Sequence, residues 1–238
     1  MTALSDAFLA RLAAGFSKHR DPERAVGMAA YMRDQFAFFG IQQPERGEIL
    51  RDVESGLDEP NERDVRAVVL GCWKRPEREF QYAATLYARR HAPVVSRGFI
   101  DVSERLITTK SWWDTVDEIA SHLVGDLVLR FPELRRCMDD WSRSPNIWLA
   151  RTAIIHQLRY RSKTDVARLF DYCARRAPET EFFIRKAIGW ALREYSKTDA
   201  RAVERFLDEN DARLSGLSKR EAMTWLNATR RKAKAKRR

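Results

Sequence analysis

Trp113 and Asp117 stand four residues apart in TKSWWDTVDEIA, residues 109–120, so a helix there puts an indole and a carboxylate on one face. A charged group resists burial without a partner, yet this segment sets Asp114 and Asp117 beside two tryptophans. Asp114 falls in the first helical turn, where a carboxylate favours the helix dipole. Asp117 lies past that turn and needs another reason: a Lys or Arg partner, or a ligand. Trp112 points away from this face and reads as core. Two further clusters mix rings with cations. EFFIRKAIGWALREYSK, residues 181–197, places Lys186, Trp190 and Arg193 on one face, and NIWLARTAIIHQLRY, residues 146–160, gives Trp148, Arg151 and Arg159. Tyr31 in AAYMRDQF adds an amphipathic ring. Lys and Arg can snorkel, so each cluster alone also fits a half-buried ring with solvated charges. Their recurrence favours a nucleic acid, with cations for phosphates and rings for sugar and base faces.

The elements that must position these residues are helices. All eight prolines fall between apolar-periodic segments, near first helical positions where their missing N–H costs nothing. The periodicity predicts helices near 4–18, 22–38, 45–55, 62–73, 77–91, 95–107, 112–130, 133–142, 146–161, 164–175, 180–196, 199–211 and 218–228. Gly40 and Gly216 are expected just past helix ends. Ser218 and Glu221 in LSKREA have capping-box spacing. No alternating segment bounded by hairpin turns is present. The segments around Ala84, Ala153 and Ala187 align at gaps of 69 and 34 residues, and the missing unit falls on WWDTVDEIASHL. A unit of about 35 residues with two helices, a little short for a HEAT repeat, reads as an all-α helical-repeat solenoid whose second helices form a concave face suited to DNA. Arg90, Arg159 and Arg193 share one column of the repeat; a compact irregular bundle is the alternative.

Composition narrows the classes further. No apolar run approaches the roughly 20 residues that span a bilayer, and the N-terminus lacks the pattern of a signal peptide. Cys72, Cys137 and Cys173 are odd in number and far apart, which suits a reducing cytosol and argues against a disulfide framework or a zinc site. The four histidines do not cluster at metal-ligand spacing, and phosphate-loop and nucleophile-elbow motifs are absent. Of the formal net charge of +10, seven charges come from TRRKAKAKRR, residues 229–238. That stretch reads as a disordered basic tail able to contact phosphates, attached to one domain over residues 1–228.

The chain resembles the bacterial AlkD-type DNA alkylation-repair glycosylases over about residues 6–226, which implies a HEAT-like helical-repeat solenoid with a concave DNA-binding face. The resemblance rests on six blocks in order: MAAYMRDQFAFFGIQQPERGEIL, CWKRPEREFQYAA, TTKSWWDTVDEIASHLVGD, NIWLARTAIIHQLRY, FFIRKAIGWALREYSKT and LSKREA. It implies a monofunctional glycosylase that removes cationic N7- and N3-alkylated purines, such as 7-methylguanine and 3-methyladenine, from double-stranded DNA in base excision repair. By the same resemblance Asp117 would be the catalytic carboxylate, and Trp113 and Trp190 would contact the deoxyribose. Tyr31, Arg151 and Arg193 would hold the DNA backbone, with Arg159 a phosphate candidate. Lys186 is grouped with the DNA-binding cations and not with Schiff-base nucleophiles. No metal or cofactor is implied, and a cytoplasmic monomer acting on the nucleoid is expected. The competing reading is a non-catalytic helical-repeat module that binds DNA or protein.

Overall fold

The computed structural model describes residues 1–235, and among them the regular elements are helices, with one isolated β-bridge between Ala37 and Glu77. None of these helices is long and apolar enough to cross a membrane. Contacts group the chain into two compact units, Met1–Leu106 and Ile107–Arg238. Repeat folds divide readily, since each repeat touches only its neighbours.

The first unit holds α1 (Ala3–Lys18), α2 (Pro22–Tyr31), α3 (Gln43–Glu54), α4 (Glu62–Trp73), α5 (Arg78–Arg90) and most of α6 (Phe99–Thr108). α1 packs on α3 and α4, and α4 on α5. Their seam buries Phe8, Leu12, Phe16, Leu50, Val68 and Phe80 completely or nearly so. α2 ends seven residues before the expected 38 because Arg33 and Asp34 turn left-handed, at φ 56° and 55°. The loop after it is held by buried Glu79, whose carboxylate accepts from the amides of Phe39, Gly40 and Ile41 at 2.9–3.1 Å. Gly40 is no helix-end residue. It sits at φ +90°, and a Cβ there would lie 2.0 Å from the Asp21 carbonyl oxygen, which only glycine avoids.

The second unit holds α7 (Trp113–Glu118), α8 (Gly125–Arg130), α9 (Arg135–Trp141), α10 (Ile147–Ile155), α11 (Val166–Arg176), α12 (Phe182–Ser196), α13 (Ala200–Glu209) and α14 (Gly216–Ala235). α7 packs on α10, α10 on α12, and α12 on α14, the neighbour-on-neighbour stacking of a helical-repeat solenoid. Ala153 and Ala187, two of the aligned positions, are fully buried, as is Ala84 in α5. Asn146, Asp165 and Asp199 cap α10, α11 and α13 with side-chain oxygens.

Four local expectations change in this unit. The helix expected over 112–130 is continuous but carries a π-helical turn at Ile119–Val124 between α7 and α8. α10 stops at Ile155, so Arg159 lies in the turn beyond it. Gly216 opens α14, and the Ser218 amide is capped by Ser215 Oγ at 3.0 Å, which frees Glu221 for other contacts. The basic stretch expected to be disordered from 229 is helical to Ala235, since Ala, Lys and Arg are strong helix formers and cations favour a helix C-terminus. Residues 236–238 of that stretch lie outside the described residues.

Candidate functional site

α7 is only six residues long, and Trp112, extended at φ −157° and ψ 158°, opens it. Trp113 and Asp117 therefore fall on one face, one turn apart. That face lines an open cleft with Asp114, Glu118, Ser121 and His122; α12 contributes Trp190 and Glu194, and the turn after α10 contributes Leu158 and Arg159. The three residues singled out for chemistry, Trp113, Asp117 and Trp190, thus share one cleft, with Arg159 on its wall.

Asp117 does not stand in the open. Its side chain is 16% exposed, and Arg151 of α10 grips it with two parallel bonds, Nε to Oδ1 and Nη2 to Oδ2, each 2.7 Å. The third arm of the guanidinium, Nη1, donates to the Phe183 carbonyl oxygen at 2.5 Å. This bidentate geometry is the strong form of the ion pair. Burial nevertheless pushes the Asp117 carboxyl above the usual carboxylate range; Arg151 pulls it back only in part, and the charge of Asp114 adds to the rise. The result is a carboxylate with raised proton affinity, fixed in direction, at the edge of a cleft.

Arg151, expected at the DNA backbone, is turned inward in this structure. It is 4% exposed and engaged on three of its nitrogens, with both Asp117 oxygens and the Phe183 carbonyl. Behind the pair, Trp112, Trp148 and Phe183 form an aromatic cluster with centroids 4.9–6.0 Å apart. Trp112 belongs to packing, as its position predicts, although its buried Nε1 has no hydrogen-bond partner. Trp148 joins it there; the spacing of three from Arg151 does not bring its ring into the cleft lining.

The remaining candidates for DNA contact fall in three places. Arg159 is exposed and hydrogen-bonds His122, whose Nε2 lies 3.4 Å from Glu118 Oε2. Lys186 and Arg193, on α12 either side of Trp190, both reach Glu221 of α14, at 2.8 and 3.1 Å. Tyr31 ends α2 in the first unit, 72% exposed, and lines a shallow groove there with Arg24, Met28, Phe38, Arg46 and Tyr82.

Sequence reasoning missed Glu118, His122, Glu194 and Glu221. A period of 3.6 puts residues 117, 121 and 124 on one face, whereas the π turn winds wider and carries His122 onto the cleft beside Ser121. No residue type announces a π turn, so that signal was absent. Glu221 was visible but was assigned to the cap that Ser215 makes.

Residues 12–226 match the family described as DNA alkylation repair enzyme. Among curated proteins, none is similar enough to match. A solved structure described as a predicted DNA alkylation repair enzyme from Enterococcus faecalis is similar at 32% identity, with a TM-score of 0.81 over 87% of this chain and 96% of that one. The all-helical stacking, the matched span and this likeness agree: the chain belongs to the DNA alkylation repair enzyme family.

Proposed function

We propose that the protein is a monofunctional DNA glycosylase that hydrolyses the N-glycosidic bond of cationic N7- and N3-alkylated purines in duplex DNA. The observation that carries this reading is the carboxylate of Asp117, gripped by Arg151 in a cleft that also presents the rings of Trp113 and Trp190. Enzymes that cleave ordinary glycosides need an acid for the leaving group and a second carboxylate for the sugar or water. An alkylated purine already carries positive charge, so it leaves as a neutral base and takes the bonding electron pair with it. The positive charge then passes to the deoxyribose. Asp117 would face that charge and orient the water that adds to C1′, accepting the proton the water loses. The electron-rich faces of Trp113 and Trp190 would add cation–π attraction to the same sugar.

No Lewis acid or cofactor enters this scheme, because the base needs no further activation to leave. The enzyme would act as a monomer in the cytoplasm, with Arg159, Lys186, Arg193 and Tyr31 as candidates for the DNA backbone. The decisive assay incubates methylated duplex with the protein and measures free 7-methylguanine and 3-methyladenine. Release with turnover is expected; binding of the duplex without release would instead favour a non-catalytic helical-repeat module.

A further inference from the structure

α12 offers Lys186, Trp190 and Arg193 at spacings of four and three, and one acid from α14 stands between the two cations. Lys186 Nζ donates to Glu221 Oε1 at 2.8 Å, and Arg193 Nη1 donates to Oε2 at 3.1 Å. The placement is built into the packing. A Cβ on Gly189 would lie 2.4 Å from Glu221 Cβ and 2.8 Å from the Ser218 carbonyl oxygen, so α12 and α14 meet with no side chain between them there. Ser218 Oγ donates to the Arg185 carbonyl oxygen at 2.9 Å, which sets the register of α14 one turn before Glu221. Lys186 first, then Arg193, holds the Glu221 carboxyl below the usual carboxylate range, so it is ionised at neutral pH.

One carboxylate bridging two cations through separate oxygens is the arrangement a phosphate would adopt on the same pair. Lys keeps further N–H donors, and Arg has five in all, so neither cation is exhausted by Glu221. The three side chains are 22–38% exposed, where ion pairs are screened and contribute little net stability. They can therefore exchange partners at small cost, which the buried Arg151 pair cannot.

We propose that Glu221 is a resident substitute for a DNA phosphate, holding Lys186 and Arg193 beside Trp190 in the free protein and yielding them to the duplex backbone. The inference rests on the glycosylase reading in so far as DNA is placed against the Trp190 face. It adds a specificity device to that reading. A cation pair already neutralised from within releases fewer bulk counterions when a phosphate arrives, so undamaged DNA gains less from it. The enzyme is then held back from sequence-independent binding, the competitor that any repair protein must escape.

The test measures affinity for undamaged duplex over a series of salt concentrations for the full chain, Glu221→Gln and Glu221→Asp. Glu221→Gln keeps the shape and removes the charge; it should bind about tenfold tighter near 0.1 M salt and steepen the dependence of log affinity on log salt by about one unit. Glu221→Asp keeps the charge and should keep the wild-type slope. Unchanged or weaker binding by Glu221→Gln overturns the proposal, as does equal steepening in Glu221→Asp. Should Glu221→Gln fail to fold by circular dichroism, Lys186→Gln carries the test: Glu221 already offsets part of that charge, so the slope should fall by clearly less than one unit, and a full unit overturns the proposal. Undamaged duplex needs no excision, so this result stands apart from the base-release assay that tests the glycosylase reading.

Discussion

Two carboxylates of the second unit, Asp117 and Glu221, meet their cations in opposite ways. Asp117 is mostly buried, has one cation to itself, and still titrates above the usual carboxylate range. Glu221 is more exposed, shares itself between two cations, and titrates below it. The difference is desolvation. Around Asp117 the loss of water outweighs even a bidentate guanidinium; around Glu221 water remains, and the cations decide. An ion pair therefore cannot be read as a stabiliser from its distances alone. The buried pair fixes a carboxylate whose burial would otherwise be costly, and the exposed pair leaves its cations available.

The comparison is broken most severely by Arg151→Ala. It strands Asp117 in a buried site without its partner and should cost about 3–5 kcal/mol of stability in denaturant unfolding. It should also raise the Asp117 pKa further and move the acid limb of excision to higher pH. A unit drop in the salt slope for plain duplex, with the pH profile unmoved, would instead return Arg151 to the backbone-contact role.

Asp117→Asn comes next. Losing a preorganised charge at the developing cation should slow single-turnover release of 7-methylguanine by about a hundredfold at saturating enzyme. Because Arg151 is then left buried opposite a neutral amide, some stability should be lost too, which an open-wall aspartate would not have shown. In the wild type, excision needs the ionised carboxylate, so its rate should fall as pH drops through the raised folded pKa, above the ordinary 3.8. The linkage has the matching sign: the folded chain binds this proton more tightly than the unfolded chain, so this group's contribution to stability declines as pH rises through that window. Flat excision down to pH values near the ordinary carboxylate pKa would sink the assignment.

Gly189→Ala sharpens the other side. The added methyl meets Glu221 Cβ and the Ser218 backbone, and overpacking of this kind costs about 1–3 kcal/mol. Thermal unfolding should register that loss; an unchanged midpoint would mean that α14 can shift without penalty and that Glu221 is loosely placed. The smallest change is Asp114→Asn. It should cost at most about 1 kcal/mol as a first-turn charge, and by removing a like charge near Asp117 it should move the acid limb of excision slightly to lower pH. A large loss of excision would mean that Asp114 is the reacting carboxylate.

Much of this was legible in residue order. Proline spacing placed most helices to within a few residues, because proline acts locally through its own φ and its missing donor. The four-residue step from Trp113 to Asp117 and the repeat that carries Trp190 likewise placed these side chains, which line one cleft. What escaped depended on residues far apart in the chain. α2 is cut short where the following loop is held by Glu79, some 40 positions away, and nothing in AAYMRDQF announces that. Arg151 looked like a solvent-facing cation because helical spacing gives direction but not depth. The LSKREA motif had the spacing of a cap, yet Ser215, three residues earlier, was the better-placed oxygen. Helix propensity alone would have carried α14 into the basic stretch, had charge not been read as disorder.

The π-helical turn at Ile119–Val124 also bears on how this chain can change in length. Such a turn closes its hydrogen bonds from i to i+5, so it holds one residue more than an α-helical turn accommodates. Removing one residue there would let the backbone relax into ordinary α geometry, with Trp113 and Asp117 still in phase upstream and α8 still in phase downstream. The same deletion inside α10 would rotate everything after it by about 100° and turn Arg151 away from Asp117. The cleft helix thus carries its own slack beside Asp117, a place where one residue could be removed and the wall at His122 reshaped without re-aiming that carboxylate.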